Sequence, residues 1–326
     1  MTQEIVETKE KPVLTSPAVL AQERTNNRSY FATSLRRFFQ HKLNLTALTV
    51  FLLIVLISIF APVITSTLIK TEPDYFRASF SPAYAPPGTP ETLRNGTNIV
   101  HWLGTDDLGR DTLVRLLHAG GASLSIGLLV ALIIICLGVP IGLLSGFFGG
   151  WVDDFFNAII QIINNIPILY LFIVLAGIFR PDIVFLSIIF GMLSWTATAR
   201  QVRGLTLSLR QRDFIMASIA TGARYWRLMA VHLLPNIISI LVVLVGTDIA
   251  IAMLNEAALS YLGFGIRDPD VSWGKLLSNS SRYLTYQGNH NPFLILGPGI
   301  MIFITILSVY LIADGLRDAF DPALKN

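Results

Sequence analysis

Six apolar runs, at roughly 43–69, 119–150, 155–179, 183–199, 236–258 and 293–313, constrain this chain more than any other feature. Each is close to the ~20 residues that an α-helix needs to cross ~30 Å of hydrocarbon. In lipid the backbone must satisfy its own polar groups, so runs of this length fold as helices. The run at 119–150 has room for an interfacial approach or a kink at Pro140, and the short one at 183–199 can be matched by tilt or by snorkelling flanks. Apolar residues make up 53% of the chain and charged residues 14%, with a mean hydropathy of +0.61, which excludes an ordinary soluble domain. The expected fold class is an all-α integral membrane protein with six transmembrane helices.

The distribution of cations gives the orientation. With the N-terminal tail (1–42) inside, the inner segments carry 15 of the 24 Lys and Arg residues. Six of these, Arg200, Arg203, Arg210, Arg212, Arg224 and Arg227, fall in one segment at 200–235 whose sole acid is Asp213. Both termini and that segment are therefore expected in the cytoplasm. The first half of the tail reads as disordered, and Ser34 to His41 as a short interfacial helix. A polar tail ahead of the first apolar run reads as a retained anchor at 43–69, with no cleavable signal. The segment at 70–118 is the longest outer loop, extended around Pro82, Pro86, Pro87 and Pro90 and becoming helical near its end, with an interfacial helix that feeds the second span. A five-helix core at 119–314 and a short cytoplasmic tail at 315–326 complete the chain. A formal net charge of +3 is too small to argue for nucleic acid as a partner, and membrane lipid is the expected surroundings.

Within 200–235, the stretch Asp213 to Asn236 is basic and amphipathic and lies between two apolar runs. It reads as two short helices. The first opens on Asp213, suited to the positive end of a helix, and ends at Gly222, which takes a left-handed conformation at little cost. The second carries Arg224 and Arg227 with Tyr225 and Trp226 beside them, and stops before Pro235, which suits the first turn of the next helix. Apolar, aromatic and cationic side chains on a helix-turn-helix at a membrane face form a surface for docking another protein.

Here the sequence resembles the permeases of ABC-type importers. Ala217, Gly222 and Leu233-Leu234-Pro235-Asn236 match that family's coupling-loop signature, with Met216 in place of its usual Glu, Ser218 for its second Ala and Leu233 for its Ile. Gly104-Thr105-Asp106 with Gly109-Arg110-Asp111, Trp195 to Arg203, Glu256 to Gly265 with Trp273-Gly274, and Asp314 to Pro322 are similar to the dipeptide, oligopeptide and nickel subgroup, on the side of its second ("C") permease subunit. After Trp151-Val152-Asp153 the chain departs from that subgroup, with Ala158 and Gln161 where Arg and Asp are usual. The resemblance implies the type I ABC importer permease fold in the plasma (inner) membrane. It also implies a second homologous permease, two ATPase subunits and an extracytoplasmic substrate-binding protein as partners. Asp213, Ala217, Ser218, Gly222, Ala223, Arg224, Tyr225, Arg227, Leu234 and Pro235 would then form the ATPase-docking loop.

No catalytic constellation is legible in the sequence. Five scattered histidines lack ligand spacing, the single Cys136 lies in an apolar run, and there is no Gly-x-x-x-x-Gly-Lys-Ser/Thr phosphate loop. The expectation is a transport subunit that binds no cofactor itself, with ATP and Mg used by partner ATPase subunits. Polar groups inside the spans carry the remaining information, because they are costly in lipid. Asp248 in the fifth run, and Gln161, Asn164 and Asn165 in the third, either line a translocation path or are structural, with Asp248 paired to a neighbouring helix or protonated and the amides bonded between helices. If they line a path, Asp248 meets a cationic group such as a peptide amine. A proton- or ion-coupled secondary carrier built on Asp248 is the competing class; it leaves the docking loop unexplained, and no inverted repeat with broken helices is visible.

Overall fold

A computed structural model describes residues 32–69, 81–93, 96–268, 270–283 and 291–320. The expectations for the first half of the tail, for 70–80 in the outer loop and for 321–326 lie outside the described residues. A helix, α1, stands over 32–40, where an interfacial helix is expected, anchored by buried Ser34 and Phe38. The anchor is α2 (Lys42–Ile59), which breaks just before Pro62 and continues as a short turn, Ala61–Ile64, and a π-helical turn, Thr65–Ile69.

The proline-rich segment, read as extended and irregular, holds regular structure that the sequence reading did not foresee. Strands β1 (Thr89–Thr92) and β2 (Asn98–His101) pair antiparallel, Thr89 opposite His101. Period-2 burial within β2, with Ile99 and His101 inward, is short enough to be lost among the surrounding turn residues.

The interfacial helix and the second span are one continuous helix, α3 (Thr112–Phe148), with Pro140 inside it. It starts where the Asp111 carboxylate accepts from the Val114 N–H at 2.9 Å, a cap worth about 1 kcal/mol. The third apolar run is divided into α4 (Gly150–Asn164) and α5 (Ile168–Ile178), separated at Asn165-Ile166-Pro167, where proline removes a donor and restrains the residue before it. The fourth run is longer than its apolar part: α6 (Ile183–Arg210) continues through Arg200 and Arg203 into the polar segment. Next come α7 (Asp213–Ala220), a helical turn at Tyr225–Arg227 and a π-helical turn at Leu228–Leu233. These lead into α8 (Leu234–Tyr261), α9 (Trp273–Tyr283) and α10 (Phe293–Phe320). Among the described residues, five helices are long and apolar enough to cross a membrane: α2, α3, α6, the continuous stretch Tyr225–Tyr261, and α10.

Helix α3 is the central post. It packs most extensively on α6 and also contacts α8, α2 and α9, while α10 closes the far side against α8 and α2. The α3–α6 joint depends on small residues. Gly138, Gly142 and Gly146 recur every four positions, and a Cβ at Gly142 would lie 2.6 Å from the Ala199 carbonyl oxygen. Backbones that close gain dispersion contact, the main cohesive force between helices in lipid. On the opposite side α4 buries only Ile160, leaving Trp151 and Ile162 outward.

Candidate functional site

The segment Asp213 to Asn236, expected to be the coupling loop, is seated on an apolar cluster at one end of α3 and α6. Ile215, Leu228 and Leu233 are fully buried there against Val139, Leu143, Phe147 and Val202. Between the seated residues the chain turns sharply. Helix α7 ends in a Schellman arrangement: the Gly222 N–H donates to the Ile219 carbonyl at 3.0 Å and the Ala223 N–H to the Ser218 carbonyl at 3.1 Å. Gly222 has φ +79°, and a Cβ there would touch nothing within 4 Å. Its requirement is therefore for backbone conformation and not for space.

The residues that the sequence reading expects to form a docking loop stand largely outside this seat. Asp213, Ala217, Arg224, Tyr225 and Arg227 are exposed, Ser218 and Ala223 half-buried, and Trp226 is 72% exposed. A concavity of about 500 Å³ at the turn is lined by Ser218, Thr221, Gly222, Arg224, Arg227 and His232. The Tyr225 ring rests edge-on against Phe147 and Phe148 at 5.7 and 5.6 Å, which fixes the second half of the turn to the end of α3. Pro235 falls in the first turn of α8, as expected, but no break precedes it. A π-helical turn absorbs the change and joins Tyr225 to Tyr261 without interruption. Leu234 is half-buried within this junction.

A polar clamp supports this end, and the sequence reading did not pair its members. The Arg203 guanidinium grips Asp153 of α4 with two parallel bonds of 2.5 and 2.6 Å. Asp153 also accepts from Ser145 of α3, and from Asn157 at 2.7 Å. One carboxylate thus ties α3, α4 and α6 together in bidentate geometry, the strongest form of such a pair. The available signal was an acid at the turn between the second and third apolar runs, which the alternation of spans puts on the same side as Arg203.

The candidate path residues do not converge. Asp248 on α8 accepts from the Thr198 hydroxyl at 3.0 Å, and Asn164 accepts from the Thr196 hydroxyl at 2.8 Å. Two positions on one helix point about 200° apart, so α6 stands between Asp248 and Asn164. Asn165 turns back on its own helix, donating to the Gln161 carbonyl at 2.7 Å, and the Gln161 side chain is exposed. Glu256 is fully buried and accepts from Ser260 and Ser272, each at 2.6 Å, which pins the end of α8 to the start of α9.

At the start of α3, the end away from the segment Asp213 to Asn236, the two glycine-containing motifs form one knot. Asp106 accepts from the Leu108 and Arg110 N–H groups at 2.9 and 3.0 Å and pairs with the side chains of Arg110 and Arg115. His101 lies between two carboxylates, with Nδ1 2.7 Å from Asp111 and Nε2 2.9 Å from Glu91. Burial opposes its positive charge, but Asp111 and Glu91 outweigh burial and raise its pKa above the ordinary value of 6.5. Among the described residues, no group of three or more His, Cys, Asp and Glu side chains is arranged to hold a metal ion.

Residues 138–326 match the family described as the inner membrane component of binding-protein-dependent transport systems, and residues 29–87 match the N-terminal transmembrane domain of oligopeptide transport permease C. The chain is similar to the dipeptide transport system permease protein DppC of Alkalihalophilus pseudofirmus, 31% identical over 293 residues and 90% of each chain. It is also similar to the oligopeptide transport system permease proteins OppC of Bacillus subtilis and Escherichia coli. The first is 33% identical over 298 residues, 91% of each chain; the second is 34% identical over 295 residues, 90% of this chain and 92% of that one.

Proposed function

The chain belongs to the family of inner membrane components of binding-protein-dependent transport systems, and from that premise we propose that it is one of two permease subunits of an ATP-driven importer of peptides. The peptide class is carried over from the dipeptide and oligopeptide permeases that it resembles. Six crossings are part of the proposal: α4 and α5 together make the third, as a broken pair. At 15 and 11 residues they extend roughly 22 and 16 Å, enough jointly for the hydrocarbon layer. Both termini and the coupling segment face the cytoplasm on this reading, and β1, β2 and the knot at Asp106 face outward.

The observation that carries the reading is the coupling segment. Its apolar side chains are locked onto α3 and α6, while Arg224, Trp226 and Arg227 project outward from a turn fixed by Gly222. A rigid projection attached to the bundle passes on a push; a loose loop would dissipate it. An ATPase subunit that moves the turn would move α6 through the helix itself and α4 through the Arg203–Asp153 clamp. The ATP and Mg belong to two partner ATPase subunits, and an outer binding protein delivers the substrate. Asp248 is proposed to face the path and meet a peptide amine, whereas Asn164 braces α6 from the other side.

The test is purification of the tagged chain in mild detergent from its own host, with and without Gly222→Val. A β-branched residue at φ +79° costs roughly 1–2 kcal/mol at the turn. The expected outcome is that a second permease and ATPase subunits accompany the wild-type chain, and that the ATPase subunits are lost from the variant while insertion is normal. Full transport by Gly222→Val at normal expression would overturn the docking role.

A further inference from the structure

At the inner end of the bundle a second cleft, of about 380 Å³, opens between α1, the start of α2 and the end of α10. Its lining shares no residue with the coupling segment. The floor is Asn44, buried at 7% exposure and packed directly on Gly315; a Cβ there would lie 2.3 Å from the Asn44 carboxamide. That close fit sets the spacing of the two walls.

The walls differ in polarity: one carries the Arg37 cation and the His41 ring, a hydrogen-bonding group, and the other two carboxylates. Arg37 and His41, four positions apart, stand on one side, and Asp314 and Asp318, also four apart, on the other. All four are exposed, and no ion pair among the described residues joins the walls. Opposite charges held apart across a cleft match a molecule that carries both signs. The α10 wall says more about that molecule. Asp318, Asp314, Leu311, Leu307 and Phe303 succeed one another at spacings of three or four, so they lie along one face. Leu307 and Phe303 are 43% and 64% exposed. From Asp314 to Phe303 is roughly 16 Å along the helix, so the face runs from carboxylates to bare hydrocarbon over about the length of an extended acyl chain.

We infer that this cleft is a headgroup site for a zwitterionic phospholipid bearing a primary amine. The ammonium lies between Asp314 and Asp318, the phosphate meets Arg37 and His41, and an acyl chain follows Leu311, Leu307 and Phe303. An anionic headgroup without an amine leaves both carboxylates uncompensated, and a quaternary ammonium has no N–H to give them. Placement in the inner leaflet rests on the importer orientation proposed above; selectivity for the amine does not.

The experiment is native mass spectrometry of the protein, with whatever subunits accompany it, reconstituted with equal amounts of phosphatidylethanolamine, phosphatidylcholine and phosphatidylglycerol. Phosphatidylethanolamine should be retained about fivefold over either competitor, the scale of one or two partly exposed charge pairs. The D314N/D318N variant, isosteric at exposed positions, should lose that preference while its melting temperature is unchanged, and R37Q should lower retention of phosphatidylethanolamine. Equal retention of all three lipids by the wild type would overturn the inference, as would an unchanged preference in D314N/D318N. A chain truncated before residue 31 should behave like the full chain; a preference seen only after truncation would mean that the chain's own tail fills the cleft and would equally overturn it. Partner subunits recovered in the same sample report on the importer reading independently of which lipid is held.

Discussion

Replacing Gly142 with Ala should loosen the α3–α6 joint and weaken the end of the bundle that carries Arg203 and the segment Asp213 to Asn236. The new Cβ would meet the Ala199 carbonyl oxygen at 2.6 Å and Val202 Cβ at 2.7 Å. Both are backbone or β-branched atoms in a helix, so neither can swing aside. The helices would have to separate by roughly 0.8 Å to restore ordinary contact, which also thins the packing at Gly138 and Gly146 on the same stripe. Overpacking of this kind costs about 1–3 kcal/mol, and the better helix propensity of Ala returns at most about 1 kcal/mol. A net loss of about 1–2 kcal/mol is expected. Gly121, on the same helix, is the control: a Cβ there meets nothing within 4 Å, so Gly121→Ala should be neutral or stabilising by up to about 1 kcal/mol. Thermal unfolding of the two purified variants in one detergent measures the contrast. Peptide uptake at matched expression should fall for Gly142→Ala alone, because α6 carries Arg203 and leads straight into the proposed coupling segment. Equal melting temperatures for the two variants would refute the argument that backbone proximity at this joint holds the bundle.

His101 predicts a pH dependence in the knot at the start of α3. Only the imidazolium can donate to Asp111 and Glu91 together, and the folded pKa lies above 6.5. The contribution is therefore complete below the unfolded pKa and is lost as pH rises through the higher folded value. Proteolytic cutting at the β1–β2 hairpin of the purified protein should accelerate as the pH is raised from about 6 to about 9, and His101→Gln should flatten that response. Asp248→Asn and Asp248→Ala should both reduce uptake of peptides with a free amine while ATP-dependence persists; uptake unchanged in both variants would remove Asp248 from the path, and uptake that instead followed a proton gradient would favour a carrier.

Much of the coupling segment was legible because its determinants are local. Gly222 after a helical octet, an acid at Asp213 and Pro235 at a helix start are features of a few consecutive residues, and the turn follows from them. The predicted break before Pro235 was wrong for an instructive reason. Proline at the first turn of a helix lacks only a donor that would be orphaned anyway, and the preceding residues closed the gap as a π-turn once Leu228 and Leu233 were buried. Helix α6 outran its apolar run because hydrophobicity marks depth in the membrane, whereas helix length is set by caps and partners; Arg203 found its partner in Asp153.

The sequence by itself determined that the chain is helical and lipid-embedded, where the basic segment after Asp213 begins and turns, and which family it belongs to, since length, hydropathy and short motifs are properties of neighbours along the chain. Tertiary structure alone decided who meets whom: Asp153 with Arg203, Asp248 with Thr198 and Asn164 with Thr196 on opposing sides of α6, Asn44 against Gly315, and His101 between Glu91 and Asp111. Those partners lie up to 271 positions apart in the chain, as with Asn44 and Gly315. Their meeting depends on the order and facing of helices packed by close contact, which no local period encodes.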